Sequence, residues 1–405
     1  MEEWKLKDIC DLIVDCPHST AKDEGHGYPL IRTPNVGKGR LLLQNVHRVN
    51  ELVYKARNER AIPSVWDIIL AREAPVGNAA IIMPGQKVCL GQRVVLIRAN
   101  SCIVNPMFLV YYLLSDNIQH KLKNNANGAV VAHLNMEEIR NLKVSLPDIK
   151  IQNRVASILS SIDDKIECNQ RINDNLEQQA KALFKSWFVD FEPFKDGEFV
   201  ESELGMIPKG WKVVAINDVF NINIGKTPPR KETKWFTESN EDNVWVSIAD
   251  MGSSGMFISK SSEFLTNEAV DRFKIQMVEP NTVLLSFKLT VGRVAIADVR
   301  LTTNEAIARF ILPGEFYREF LYLYLKQYEY GRLGSTSSIA TAVNSKTIKG
   351  MKLLMPTTSI IENFCNNARP LFEQIRILQQ ESYRLAQLRD TLLPKLMSGK
   401  LETII

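Results

Sequence analysis

The stretch INIGKTPPRKETKWF, Ile222 to Phe236, sets four cations, Lys226, Arg230, Lys231 and Lys234, around Gly225 and a Pro228-Pro229 pair, with Trp235 near its end. The prolines stiffen such a loop and present its charges beside an aromatic. That is chemistry suited to a polyanion, since ammonium and guanidinium groups neutralise phosphates and release their counterions. Taken alone, the stretch reads first as an ordinary solvated loop. A shorter counterpart in the first half, GKGRLLLQN, carries Lys38 and Arg40 beside Gly37 and Gly39. Next to strand turns stand Arg72 and Arg93 in the first half and Lys288, Arg293 and Asn304 in the second. Arginine grips O6 and N7 of guanine in a fork and asparagine does the same for adenine, so these are residue types that read bases. Any of them can instead hold a phosphate or a structural carboxylate. Two loops of small polar residues add His133 and Asn135, and then Ser337, Thr341, Asn344 and Lys346. The two asparagines read first as helix caps.

Catalytic constellations are missing from the sequence. There is no G-x-x-x-x-G-K-[ST] phosphate loop, no H-E-x-x-H, and no strand followed by a glycine-rich turn able to cradle S-adenosylmethionine. Asn105-Pro106-Met107-Phe108 approaches the Asn-Pro-Pro-Tyr/Phe motif of adenine methyltransferases, but Met107 replaces the second proline. Pro106 at the first turn of a helix explains it without catalysis. Cys10, Cys16 and His18 fit no common zinc spacing, and the six scattered cysteines contain no C-x-x-C pair, as expected of a reducing compartment.

The elements that must position these residues are organised around two long helices. From Ile151 to Phe188, apolar residues recur by threes and fours, among them Val155, Leu159, Ile162, Ile166, Leu176, Ala180, Leu183 and Trp187, with no Gly or Pro between. The pattern predicts a helix of about 55 Å with a seam narrow enough for a coiled coil. It returns from Ser359 to Leu396 through Phe364, Ala368, Leu371, Ile375, Leu378, Ser382, Leu385 and Leu392, where Pro370 should start or kink the main segment. Each helix follows a strand-like run ending in proline, KVSLP at Pro147 and KLLMP at Pro356, 209 residues apart.

That offset is the period of a tandem duplication. Both halves open on a tryptophan segment at Trp4 and Trp211. Each continues through an apolar hairpin with a Val-Gly turn (Val76-Gly77, Val291-Gly292), a further strand, an aromatic helix from Phe108 or Phe320, the polar loop, a short Asn-capped helix and the proline-ended strand. The expected architecture is α+β: strand-rich heads at 1–147 and 209–356, long helices at 148–188 and 357–405, and a linker at 189–208. The two helices should pair antiparallel, one head at each end of a rod.

Hydrophobic residues make up 45% of the 405, ample for real cores, and a net charge of +4 is too small for a global field, so any nucleic-acid surface must be local. No run of eighteen apolar residues and no leader-like N-terminus occurs, so the expectation is a soluble, cytoplasmic protein with no membrane partner.

Three stretches carry a specific resemblance: LFKSWFVDFEPF (Leu183 to Phe194), ELGMIPKGW (Glu203 to Trp211) and LRDTLLPKLMSGKL (Leu388 to Leu401). They are similar to the conserved-region motifs of type I restriction-modification specificity (S) subunits, and the likeness extends over essentially the whole chain. The resemblance implies two target-recognition domains, each reading half of a split double-stranded DNA sequence, with a helical ruler between them. It implies no catalysis by the chain itself. Methylation (M) subunits would bring S-adenosylmethionine and restriction (R) subunits would cleave, with ATP and magnesium on the partners too. A detached specificity half of a nuclease-methyltransferase is the alternative. In this light the basic loop turns towards DNA. The aromatic cluster Phe184, Trp187, Phe188, Phe191 and Phe194 reads either as core between rod and linker or as a docking site for a partner subunit. One departure stands out: the usual Glu-Gln step at the helix start is Ile151-Gln152 in the first copy and Ile361-Glu362 in the second, where Ser359 and Glu362 should form a capping box.

Overall fold

A computed structural model describes residues 2–73, 76–124, 133–239, 242–333 and 343–398. By internal contacts the chain divides into two compact units, one of residues 1–168 with 382–405, the other of residues 169–381. Each unit therefore takes one head together with part of both long helices.

In the first unit, a five-stranded sheet runs in the order Cys10–Asp15, Val94–Ala99, Ile68–Ala71, Ala79–Ile81, Gly39–Arg40, antiparallel until the last pair, which is parallel. The second unit repeats it as Asn221–Ile224, Ile307–Ile311, Val283–Ser286, Val294–Ala297, Phe257–Ile258, again with only the last pair parallel. Ile68–Ala71, Ala79–Ile81 and Val294–Ala297 are continuously apolar because both faces are covered. Ile68 and Leu70 pack with the aromatic helix Pro106–Leu113, whereas Ile69 and Ala71 pack with Val36 and Leu41 on the other side. In the second unit Val283 and Leu285 face the helix Arg318–Gln327, and Leu284 faces Val246 and Ile258. The Val-Gly turns need glycine: Gly77 and Gly292 have φ of 88° and 93°, and a Cβ there would sit 2.9 Å from Gln119 and 3.0 Å from Tyr330.

The proline-ended strands close each head against its tryptophan segment, Lys143–Leu146 on Glu2–Lys5 and Lys352–Met355 on Lys212–Ala215, both antiparallel. From there the chain enters the long helices, Ile149–Phe188 and Thr358–Met397. They pair antiparallel within each unit: Asp163 meets Arg389 in the first, and Asn169 meets Leu378 while Phe184 meets Phe364 in the second.

Two local expectations change, and the linker gains a feature. The second helix begins at Thr358, so Ser359 lies inside it, its Oγ 3.1 Å from Thr357 Oγ1, and does not cap it. Pro370 neither starts nor ends that helix. Losing one N–H and accommodating the ring costs about 3 kcal/mol, and the fully buried Phe364, Ala368 and Phe372 around it supply packing on a larger scale. The stretch between helix and second head holds an antiparallel hairpin, Phe199–Ser202 with Gly205–Pro208.

Candidate nucleic-acid interface

The basic loop of the second head is anchored before it is charged. Gly225 lies so close to the Thr303 and Asn304 carbonyls that a Cβ would meet them at 2.3 and 2.1 Å. The amides of Gly225 and Lys226 donate to the carbonyls of Ile307 and Thr303 at 3.2 and 3.0 Å. Trp245 Nε1 donates to the Lys226 carbonyl at 3.2 Å, and Lys226 Nζ to the carbonyl of Phe273 at 3.2 Å. Beyond the prolines, the Arg230 guanidinium stacks 4.4 Å from the Phe236 ring and 4.5 Å from Trp245, and forks onto Glu263 at 2.8 and 2.9 Å. Trp235 is buried, with Lys234 4.3 Å above its ring and its Nε1 donating to Glu232 at 3.0 Å. Lys231 is exposed and makes no ion pair among the described residues. The loop is thus a cation–aromatic plate with some charges already answered and Lys231 open to solvent.

Elsewhere in this head, Lys288 is exposed at the tip of the Val283–Ala297 hairpin and Lys346 is exposed on the short helix Ser345–Lys349. Arg293 is turned inward, donating from Nη1 to the Ile248 carbonyl at 2.5 Å. Asn304 folds its side chain onto its own turn, accepting from the Ala306 amide at 3.0 Å. Ser337 and Thr341 lie outside the described residues.

In the first head, Lys38 is exposed but Arg40 is not. Only 7% of Arg40 is exposed, and its guanidinium reaches Asp164 at 2.7 Å, Glu167 at 3.3 Å and Asp163 at 3.9 Å on the first long helix. Expected at a DNA surface, Arg40 instead fastens the head to the helix, because three carboxylates leave it no open face for a phosphate. Asp163 also accepts from the Tyr111 hydroxyl at 2.5 Å and from Arg389 at 2.7 Å. Arg72 takes the structural alternative as well, with Asp15 at 2.6 Å and the Leu134 carbonyl at 2.9 Å, which ties down the loop ahead of the Asn135 cap. Arg93 stays exposed with Glu73 at 2.8 Å, and half-buried His133 lies 3.2 Å from the Asn135 side chain.

Each head ahead of its long helix thus presents separate cationic loops on the same sheet frame. A family model described as "type I restriction modification DNA specificity domain" matches residues 1–178 and 208–364, most of both halves. The chain belongs to that family. It is similar to the type I restriction enzyme HindI specificity subunit of Haemophilus influenzae, 25% identical over 99% of this chain and 100% of that one. The MjaIX specificity subunit of Methanocaldococcus jannaschii is 27% identical over 99% of this chain and 94% of its own length. A solved S subunit of a type I restriction-modification system from M. genitalium is 14% identical, covers 98% of this chain and 95% of its own, and has a TM-score of 0.53, a likeness of fold.

The aromatic cluster of this specificity chain divides between core and edge. Phe184 and Phe188 are 3% and 7% exposed and pack on Phe320 and Phe364. Trp187, Phe191 and Phe194 are half-buried, the last two against Trp211 at 5.5 and 5.1 Å. Burial also raises the thiols of Cys10 and Cys365 to about 12 and of Cys89 to about 11, so they stay protonated at neutral pH. Among the described residues, no three His, Cys, Asp or Glu side chains form a metal-holding group, and no helix is long and apolar enough to cross a membrane.

Proposed function

We propose that the chain is the non-catalytic DNA-recognition subunit of a type I restriction-modification complex in the cytoplasm. Its heads, residues 1–147 and 209–356, each read one half of a split double-stranded target. The observation that carries this reading is the repeated five-stranded frame, strand for strand, each copy entering a 40-residue helix and each falling within the family match. DNA contact falls to the exposed cations, Lys38 and Arg93 in the first head and Lys226, Arg230, Lys231, Lys234, Lys288 and Lys346 in the second. Methylation and restriction subunits supply the chemistry and hold S-adenosylmethionine, ATP and magnesium. The half-buried Trp187, Phe191 and Phe194 offer such a subunit an aromatic edge. The paired helices set the unread spacer between half-sites. Coverage of 94 to 100% of relatives named specificity subunits supports a separate subunit over the detached half of a nuclease-methyltransferase.

The test is reconstitution. The chain, methylation subunits and S-adenosylmethionine together should methylate DNA at a bipartite site, and the chain with S-adenosylmethionine alone should methylate nothing. Methylation by the chain alone would overturn the reading.

A further inference from the structure

The seam of the first long helix steps by three and four through Ile162, Ile166, Asn169, Asn173, Leu176 and Ala180. Asn169 is wholly buried, and its Nδ2 donates to Glu381 Oε2 at 2.7 Å and to the Leu378 carbonyl at 3.4 Å. Leu378 stands 209 residues after Asn169, which is the period of the duplication. The two helices therefore meet here at equivalent positions, where a symmetric pair would place identical side chains. They are not identical: the counterpart of Asn169 is Leu378, and by the same offset the counterpart of Glu381 is Ile172.

We infer that the Asn169–Glu381 contact locks the register and the choice of partner in the helix pair, and so fixes a single spacer length; this rests on the ruler reading above. A buried amide must keep its hydrogen bonds, and a polar residue in a largely apolar seam selects the alignment that satisfies it. Sliding the second helix by one heptad brings Leu385 and Leu388 to the amide in one direction, and Leu371 and the uncharged Gln374 in the other. Pairing the first helix with the same helix of another chain sets Asn169 against Asn169 and Ile172, with no carboxylate. Pairing two second helices buries Glu381 among leucines with no amide to meet it. Only the pairing of first helix with second, at this register, joins the carboxylate to the amide.

The experiment uses the full chain carrying Asn169→Leu, in complex with its methylation subunits, and maps methylated sites on a plasmid library of randomised spacers. The lock predicts a thermal midpoint equal to or above that of the parent, and methylation at two or more spacer lengths in place of one. Glu381→Gln, which gives the parent register only the neutral acceptor that Gln374 offers one heptad away, should likewise admit a second spacer, and a single spacer kept by this variant would show that the carboxylate does not select the register. A single unchanged spacer with Asn169→Leu would overturn the inference. So would a variant that fails to fold, since that would make Asn169 a stability contact and not a selector. A matched heptad insertion in both helices separates the two ideas. If insertion moves the spacer and Asn169→Leu does not widen its range, the ruler stands and the lock fails; if neither acts, the ruler reading fails with it.

Discussion

Arg230 makes two kinds of contact at once, lying over both Phe236 and Trp245 and forked onto Glu263, so its removal disturbs packing as well as charge. Lys231 is the cleaner probe. Replacing Lys231 with Ala should lower the log–log salt slope of DNA binding by about 1 while leaving the thermal midpoint in place. A slope equal to the parent's would remove the loop from the interface. Glu177 offers a second residue-scale test, this time of pH. Burial pushes its carboxyl up, but Lys326 and Lys181 outweigh burial and hold it below the usual glutamate range. The folded state thus binds this proton less tightly than the unfolded chain. The stabilisation is complete above the ordinary glutamate value and fades as pH falls through it towards the depressed one. Glu177→Gln should make the acid side of a midpoint-against-pH curve shallower, and an unchanged steepness would dismiss the carboxylate as a source.

Among the elements, the first helix is held to its head and to the second helix by a buried ion cluster, Arg40 and Arg389 around Asp163 with the Tyr111 hydroxyl. Asp163→Asn leaves Arg389 and Arg40 short of a buried partner and should destabilise by about 3–5 kcal/mol in chemical denaturation. A loss under about 1 kcal/mol would mean that water answers those cations. These clusters also show where sequence patterns stop informing. Spacing by threes and fours was enough for both long helices, and the proline-ended strands and aromatic helices follow from local periodicity and capping, which depend on near neighbours. Arg40 could not be placed that way, because whether an arginine faces solvent or a carboxylate 124 residues on depends on tertiary packing. The same applies to Arg72 with Asp15. Asn169 was hidden for a different reason: an apolar stripe passes over a polar seam position, although the ten-residue gap from Ile166 to Leu176 is itself the mark of skipped ones. Pro370 shows propensity overruled by burial, and the Phe199–Pro208 hairpin lay hidden in a charged, Gly- and Pro-bearing stretch.

For the whole molecule, the duplication of both frame and helix makes the proposed function modular. If the helices act as a ruler, one heptad inserted between Cys168 and Asn169 and another between Glu381 and Ser382 adds about 10 Å while keeping Asn169 with Glu381. The half-sites should then survive with a spacer longer by about one to three base pairs, given a rise of about 3.4 Å per pair and some tolerance of the duplex to twisting. An active complex with its spacer unaltered would show that helix length does not set the distance. The claim beneath all of this is that each head is a complete and independent reader. Exchanging residues 1–147 for the first head of another family member, and sequencing the methylated sites made by the reconstituted complex, tests it most directly. The account predicts that one half-site changes to the donor's and the other stays as it was; change or loss of both half-sites would contradict it.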